Sequence, residues 1–151
     1  MFLTRLLCLV ILLTACSRHV PPYIELVAKI DANSHSATMV ELVFVYDDAV
    51  VGQIQTMSGA DWFNQRNAMI ASFPNKLQVQ GFELVPGVEI APVTLPDISA
   101  NADGVFVFAE LFSTGNDKLD ISNMPSVRIT VAANGIEANP IERPEVNAYT
   151  N

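Results

Sequence analysis

Cysteine is almost missing from the 151-residue chain: Cys8 and Cys16 are its two examples. The body of the protein therefore has no thiol for a disulfide, a nucleophile or a soft-metal site, and its stability rests on packing. Histidine is as scarce. His19 and His35 stand alone with no partner at ligand spacing, which argues against zinc or another transition metal. Eight Lys and Arg face sixteen Asp and Glu, for a net charge of −8. That balance argues against nucleic acid as a partner and against attraction to anionic lipid headgroups. Glycine is sparse and scattered, so the chain has neither a Gly-rich phosphate loop nor a Gly-Xaa-Ser-Xaa-Gly nucleophile elbow. No apolar run reaches the roughly 20 residues needed to cross a bilayer as a helix.

What is present begins at the N-terminus. Arg5 precedes a short apolar run over residues 6–13, and Leu13-Thr14-Ala15-Cys16 closes it. One early positive charge, a short apolar core and a small-residue site describe a secretory signal peptide. The Leu-Thr-Ala-Cys ending matches the bacterial lipobox, in which the Cys takes a diacylglycerol on sulfur, becomes the new N-terminus and is acylated on nitrogen. The competing reading is an ordinary secretory signal in which Cys16 is incidental. On the lipobox reading Cys16 is the lipid attachment site, and its covalent acyl chains are the only group the protein carries. Cleavage removes Arg5 and no acid, so seven basic side chains remain against sixteen acidic ones. Ser17 follows the Cys where enterobacterial inner-membrane lipoproteins carry Asp. By that resemblance the destination is the outer membrane, with the protein facing the periplasm.

The rest divides into a lipidated tether (16–22), one domain (23–141) and a polar, disordered tail (142–151). Residues 23–30 alternate, with Ile24, Leu26, Ala28 and Ile30 on one face, and predict a strand with one buried side. A polar turn over 31–36 leads to a second strand over 38–46, with Leu42, Phe44 and Tyr46 aligned. Residues 47–57 are broken by Gly52 and give no clear element. Ser58 and Asp61 form an N-terminal cap for a helix whose stripe is Trp62, Phe63, Arg66, Met69, Ile70 and Phe73, ended by Pro74. Residues 77–85 and 88–95 flank Pro86-Gly87, a type II turn pair, and predict a hairpin with Gly81 opposite Pro92 at a bulge. Pro92 also marks an edge strand. Residues 105–112 are apolar on both faces except at Glu110, which predicts a central strand covered on one side by the Trp62 helix. After a polar loop over 113–125, residues 127–133 and 136–141 flank Asn134-Gly135, the strongest hairpin signal in the chain. The fold class is all-β: a sandwich of about seven strands with one short helical insertion.

Little in this layout performs chemistry. Asn116-Asp117-Lys118-Leu119-Asp120 lacks the spacing and central Gly of an EF-hand loop and reads as a solvated loop. Asp47-Asp48 is a carboxylate pair, but adjacent residues at a strand end diverge instead of facing each other across a substrate cleft. The two histidines fall in a tether and a turn, away from the rigid elements that hold catalytic bases. The reading is of a protein that is not an enzyme.

Four segments in this order carry a resemblance: Val43-Phe44-Val45-Tyr46, Asp61-Trp62-Phe63, Phe82-Glu83-Leu84-Val85-Pro86-Gly87 and Gly104-Val105-Phe106-Val107-Phe108-Ala109. Together with the lipobox they resemble the TssJ/VasD outer-membrane lipoproteins of type VI secretion. Two departures accompany the match: Asp47-Asp48 stands where the family has Gln-Leu, and no Trp-Arg pair follows Phe112. The resemblance implies a transthyretin-like β-sandwich tethered under the outer membrane. It also implies a structural adaptor that binds the periplasmic domain of the inner-membrane protein TssM. In the family the loop between the first two strands contributes to that contact, and its positional counterpart is Asn33, Ser34, His35 and Ser36. Two other readings compete. One is a periplasmic ligand- or carbohydrate-binding lipoprotein with an exposed Trp62; the other is a pilotin or assembly factor of another envelope machine.

Overall fold

The computed structural model describes residues 20–90 and 92–143. The signal peptide, Cys16 and the rest of the tether to His19, and the tail from 144 onward lie outside the described residues. Strands β1 (Ile24–Ala28), β2 (Thr38–Val45), β3 (Leu77–Leu84), β4 (Glu89–Ile90), β5 (Gly104–Ala109), β6 (Lys118–Asp120), β7 (Val127–Ala132) and β8 (Gly135–Pro140) form two sheets. One has the order β4-β1-β7-β8 and the other β3-β2-β5-β6. The two face each other as a β-sandwich. Helices α1 (Asp48–Gln55) and α2 (Gly59–Ser72) are inserted between β2 and β3.

Parity along the strands decides which side of the β3-β2-β5-β6 sheet each residue covers. Val40, Leu42 and Phe44 of β2 and Val105 and Val107 of β5 point into the sandwich, against Ile24, Leu26, Ile129 and Val131 of the other sheet. Val43, Val45, Phe106 and Phe108 point the opposite way, into a second core under the helices. Every residue of β5 is buried, as expected for a strand covered on both faces. Trp62, with no exposed surface, stacks on Phe108 with ring centroids 5.1 Å apart and planes 12° from parallel. Its Nε1–H donates to Glu41 Oε2 at 2.7 Å, and Arg66 donates to the other carboxylate oxygen. Glu41 is only 6% exposed, so two donors on α2 supply the partners that a buried carboxylate requires.

Several expectations are corrected. The segment around Gly52 is a helix: Asp47 caps it by accepting from the Ala49 and Val50 N–H groups, and Val50, Val51 and Ile54 are buried with Met57. Gly52 sits on its exposed side, where one glycine weakens a helix by only about 1 kcal/mol. The insertion therefore has two helices. Residues 77–95 are not a hairpin. The 85–88 turn, with Gly87 at φ +78 and Val88 N–H bonded to Val85 O, crosses between sheets, so β3 pairs with β2 and β4 with β1. The apparent parity shift at Gly81 is not a bulge, because the register runs unbroken past Glu41↔Gly81. Leu77 and Val79 pack under the helices, whereas Phe82 and Leu84 face the other sheet. β4 is an edge strand, and Pro92 follows it.

Strand β6 lies inside the stretch read as loop, bringing the count to eight among the described residues. The last hairpin forms with Ala133 and Asn134 as its loop, since Ala132 pairs with Gly135. Gly115 packs so closely there that a Cβ would meet Asn134 O at 1.5 Å. Ile30 is 72% exposed, because β1 ends at Ala28 and the chain turns away. Ile70 and Phe112 are also exposed. No helix among the described residues is long and apolar enough to cross a membrane.

The helix caps make stability depend on acid. Asp47 is held below its ordinary 3.8 by hydrogen bonds, first from Lys76 and then from Val50 N–H. Asp61 is held below the same value by the Ser58 side chain and backbone N–H. A depressed carboxyl contributes stability that is complete above its unfolded pKa and disappears as pH falls through the folded one. The Asp47→Asn/Asp61→Asn double variant should therefore melt below the native protein at neutral pH, in thermal unfolding followed by circular dichroism. The gap should close as both carboxyls protonate below pH 3.8. A gap independent of pH would contradict the assignment.

Candidate functional site

The connections gather at two poles. β1 runs toward the β1–β2 loop, and β7, parallel to it, ends in the β7–β8 hairpin. The end of β3 and the end of β5 lie beside the start of β2, through Thr38↔Leu84 and Val40↔Ala109. All four connections therefore emerge at one pole and are stitched together. Gly87 N–H donates to Ala28 O (3.0 Å), and Ile136 N–H donates to Asn116 O (2.8 Å). At the other pole the chain enters: Val127 N–H bonds Tyr23 O and Ile141 N–H bonds Ser126 O. There Glu25 and Arg128, register partners on neighbouring strands, form an ion pair at 2.7 Å. Burial pushes the Glu25 carboxyl up, but hydrogen bonds from Arg128 and Tyr23 outweigh it and hold the group below its usual range.

The pole away from the entry carries the residues selected from the sequence. Asn33, Ser34 and His35 form a left-handed turn with φ of 44, 57 and 65. Three consecutive non-glycine residues in this region cost about 1–2 kcal/mol each, and such strain concentrates at functional sites. Asn33 is buried, at 2% exposure, and its side chain holds the turn in place. Its Oδ1 accepts from Phe112 N–H at 2.7 Å and its Nδ2 donates to Glu110 O at 3.3 Å. Ser36 N–H closes the turn onto Ala32 O and Asn33 O. Ser34 and His35 are exposed, and Ser36 is half-buried. Of the four candidates, then, two are exposed to solvent, one is half-buried and one holds the turn from within.

Asn33 also joins this turn to a segment that the sequence did not single out. Residues 110–115 leave β5, and Phe112 stands 77% exposed at their middle. A groove of about 600 Å³ runs between this segment and the start of α2, lined by Phe63, Glu110, Leu111 and Phe112 among others. The available signal was Glu110, a charge that interrupts the apolar run just before Phe112. Trp62, the candidate sugar platform, is fully buried and offers no such surface. Among the described residues no three His, Cys, Asp or Glu side chains converge on a point where a metal could bind.

Asn33→Ala should lose about 2–4 kcal/mol, since it orphans two backbone groups and keeps a strained φ. Asn33→Gly, which relieves the backbone alone, should lose less. Urea unfolding of both variants checks the order. Equal losses would mean that the left-handed turn relaxes freely.

Solved structures show where this architecture recurs. The chain superposes on the T6SS lipoprotein TssJ1 from Pseudomonas aeruginosa with a TM-score of 0.62 at 18% identity. The match covers 81% of this chain and 96% of that one. The fold is that of the TssJ lipoproteins. Lip from Serratia marcescens, described as a membrane-bound component of the type VI secretion system, matches the TssJ fold too. It does so with a TM-score of 0.60 at 13% identity, over 80% of this chain and 96% of that one. A chain in a structure described as the T6SS protein TssM C-terminal domain, from EAEC, gives a TM-score of 0.59 at 15% identity. Coverage is 78% and 98%. No family model matches the sequence, and no characterised protein matches it by sequence.

Proposed function

We propose that the protein is an outer-membrane lipoprotein that anchors an envelope-spanning type VI secretion complex. In this reading it is a binding module and not an enzyme, and it grips the periplasmic domain of a TssM-like inner-membrane partner. The observation that carries the reading is the opposite placement of the two poles. The chain enters at one, and the strained Asn33 turn with exposed Phe112 stands at the other. Val20 is at most about 14 Å of extended chain from Cys16. Acyl chains on Cys16 would thus hold the entry pole against the membrane and aim the opposite pole into the periplasm. The TssJ fold, and the membrane-bound secretion components that share it, support this assignment.

Affinity purification of the tagged full-length protein from detergent-solubilised envelopes of its host tests the reading. One large inner-membrane protein with a periplasmic domain should co-purify, and the Ser34→Arg/His35→Glu double variant should lose it. Recovery unchanged in the variant, or no inner-membrane protein at all, would overturn the proposal.

A further inference from the structure

We infer that the groove beside Phe112 is a docking site for an extended peptide segment that carries an apolar residue next to lysine or arginine. The inference rests on the proposed function for the nature of the partner, but its own evidence is the chemistry of the groove. Phe112, three residues beyond the end of β5, is 77% exposed, although all six residues of that strand are buried. Leu111 and Phe63 are half-buried and supply an apolar floor on either side. Two carboxylates line the same space, those of Glu110 and Asp117, and no lysine or arginine does. Ser113 Oγ, also in the lining, is buried and has no hydrogen-bond partner. An orphaned hydroxyl is costly unless a donor or acceptor arrives.

Each feature specifies part of the occupant. An exposed aromatic beside half-buried apolar side chains takes an apolar anchor, as interface hot spots do. The charged residues of the lining are both acidic, which selects a cation beside that anchor and repels an acidic segment, on a chain whose net charge is already −8. Because Asn33 clamps the Phe112 and Glu110 backbone, the groove has a fixed rim that needs little ordering when a segment enters.

The test is a ¹⁵N NMR titration of the full-length protein in detergent micelles with two synthetic peptides, Gly-Ser-Lys-Phe-Lys-Ser-Gly and its Lys-to-Glu counterpart. The lysine peptide should shift the amides of residues 58–64 and 110–117, and the glutamate peptide should not. Phe112→Ser and Glu110→Lys should each weaken binding by about tenfold, the scale of a hot-spot loss. Equal shifts with both peptides, shifts elsewhere, or none would overturn the inference. The two proposals fail separately. Should the native protein capture the inner-membrane protein while the lysine peptide does not bind it, the groove is wrong and the anchor stands. Peptide binding without envelope capture would instead leave the groove and remove the anchor.

Discussion

Trp62→Ala should lower stability by about 3–5 kcal/mol, the usual range for emptying a buried aromatic site. Typical domains are stable by only about 5–15 kcal/mol, so the loss is a large fraction of the whole. Three contributions disappear together. The indole no longer fills the space between α2 and β5, the stack on Phe108 is gone, and Glu41 loses its buried donor. Phe106 and Phe108 are then uncovered, so the change affects the whole interface between the helices and the sheet. Trp62→Phe keeps an aromatic ring against Phe108 but loses the hydrogen bond, at about 1–3 kcal/mol, and part of the indole volume. Urea unfolding, with circular dichroism as the signal, should give native, then Trp62→Phe, then Trp62→Ala in falling order. An alanine variant within 0.5 kcal/mol of native would show that Trp62 does not hold the helices on the sheet.

The same residues show how much of the fold was legible. Val105-Phe106-Val107-Phe108 announced a two-sided strand, and an aromatic helix was the natural cover. The Ser58–Asp61 cap formed where its spacing placed it. Local chemistry was readable because each signal lies within a few residues. What could not be read was long-range partnership. Pro86-Gly87 makes the same turn whether the flanking strands pair with each other or join different sheets, and only Ala28 and Thr38, far away in sequence, decide that. The parallel pairing of β1 with β7 likewise has no local signature. Helix α1 was hidden by Gly52, although Val50, Val51, Ile54 and Met57 carried the helical spacing. At the candidate site the turn came only as the positional counterpart of a family loop, and its local sequence did not reveal how it is held. Asn33 reads as a surface polar residue until Phe112 and Glu110 are brought against it.

On the proposed lipid attachment at Cys16, replacing residues 1–16 with a cleavable secretory signal that lacks a lipobox should have the largest effect on location. A single acyl chain gives only marginal membrane binding, at about 0.8 kcal/mol per buried CH₂, and several chains together make release negligible. The described residues offer no membrane-spanning helix to take their place. Nearly all of the variant should therefore leave the envelope fraction and be recovered in the soluble periplasmic extract, with its circular dichroism and melting unchanged. A variant that stayed with the membranes after a high-salt wash would show that a contact other than the acyl chains retains it.

The central claim is that the two poles have different duties, one facing the membrane and one gripping the partner. Site-specific photo-crosslinking in intact cells tests it most directly, with a photoreactive residue placed at Ser34 or at Pro22, both exposed and at opposite poles. The account predicts one adduct with a large inner-membrane protein from Ser34 and none from Pro22. An adduct from Pro22 alone, or from neither position in cells assembling the complex, would contradict it.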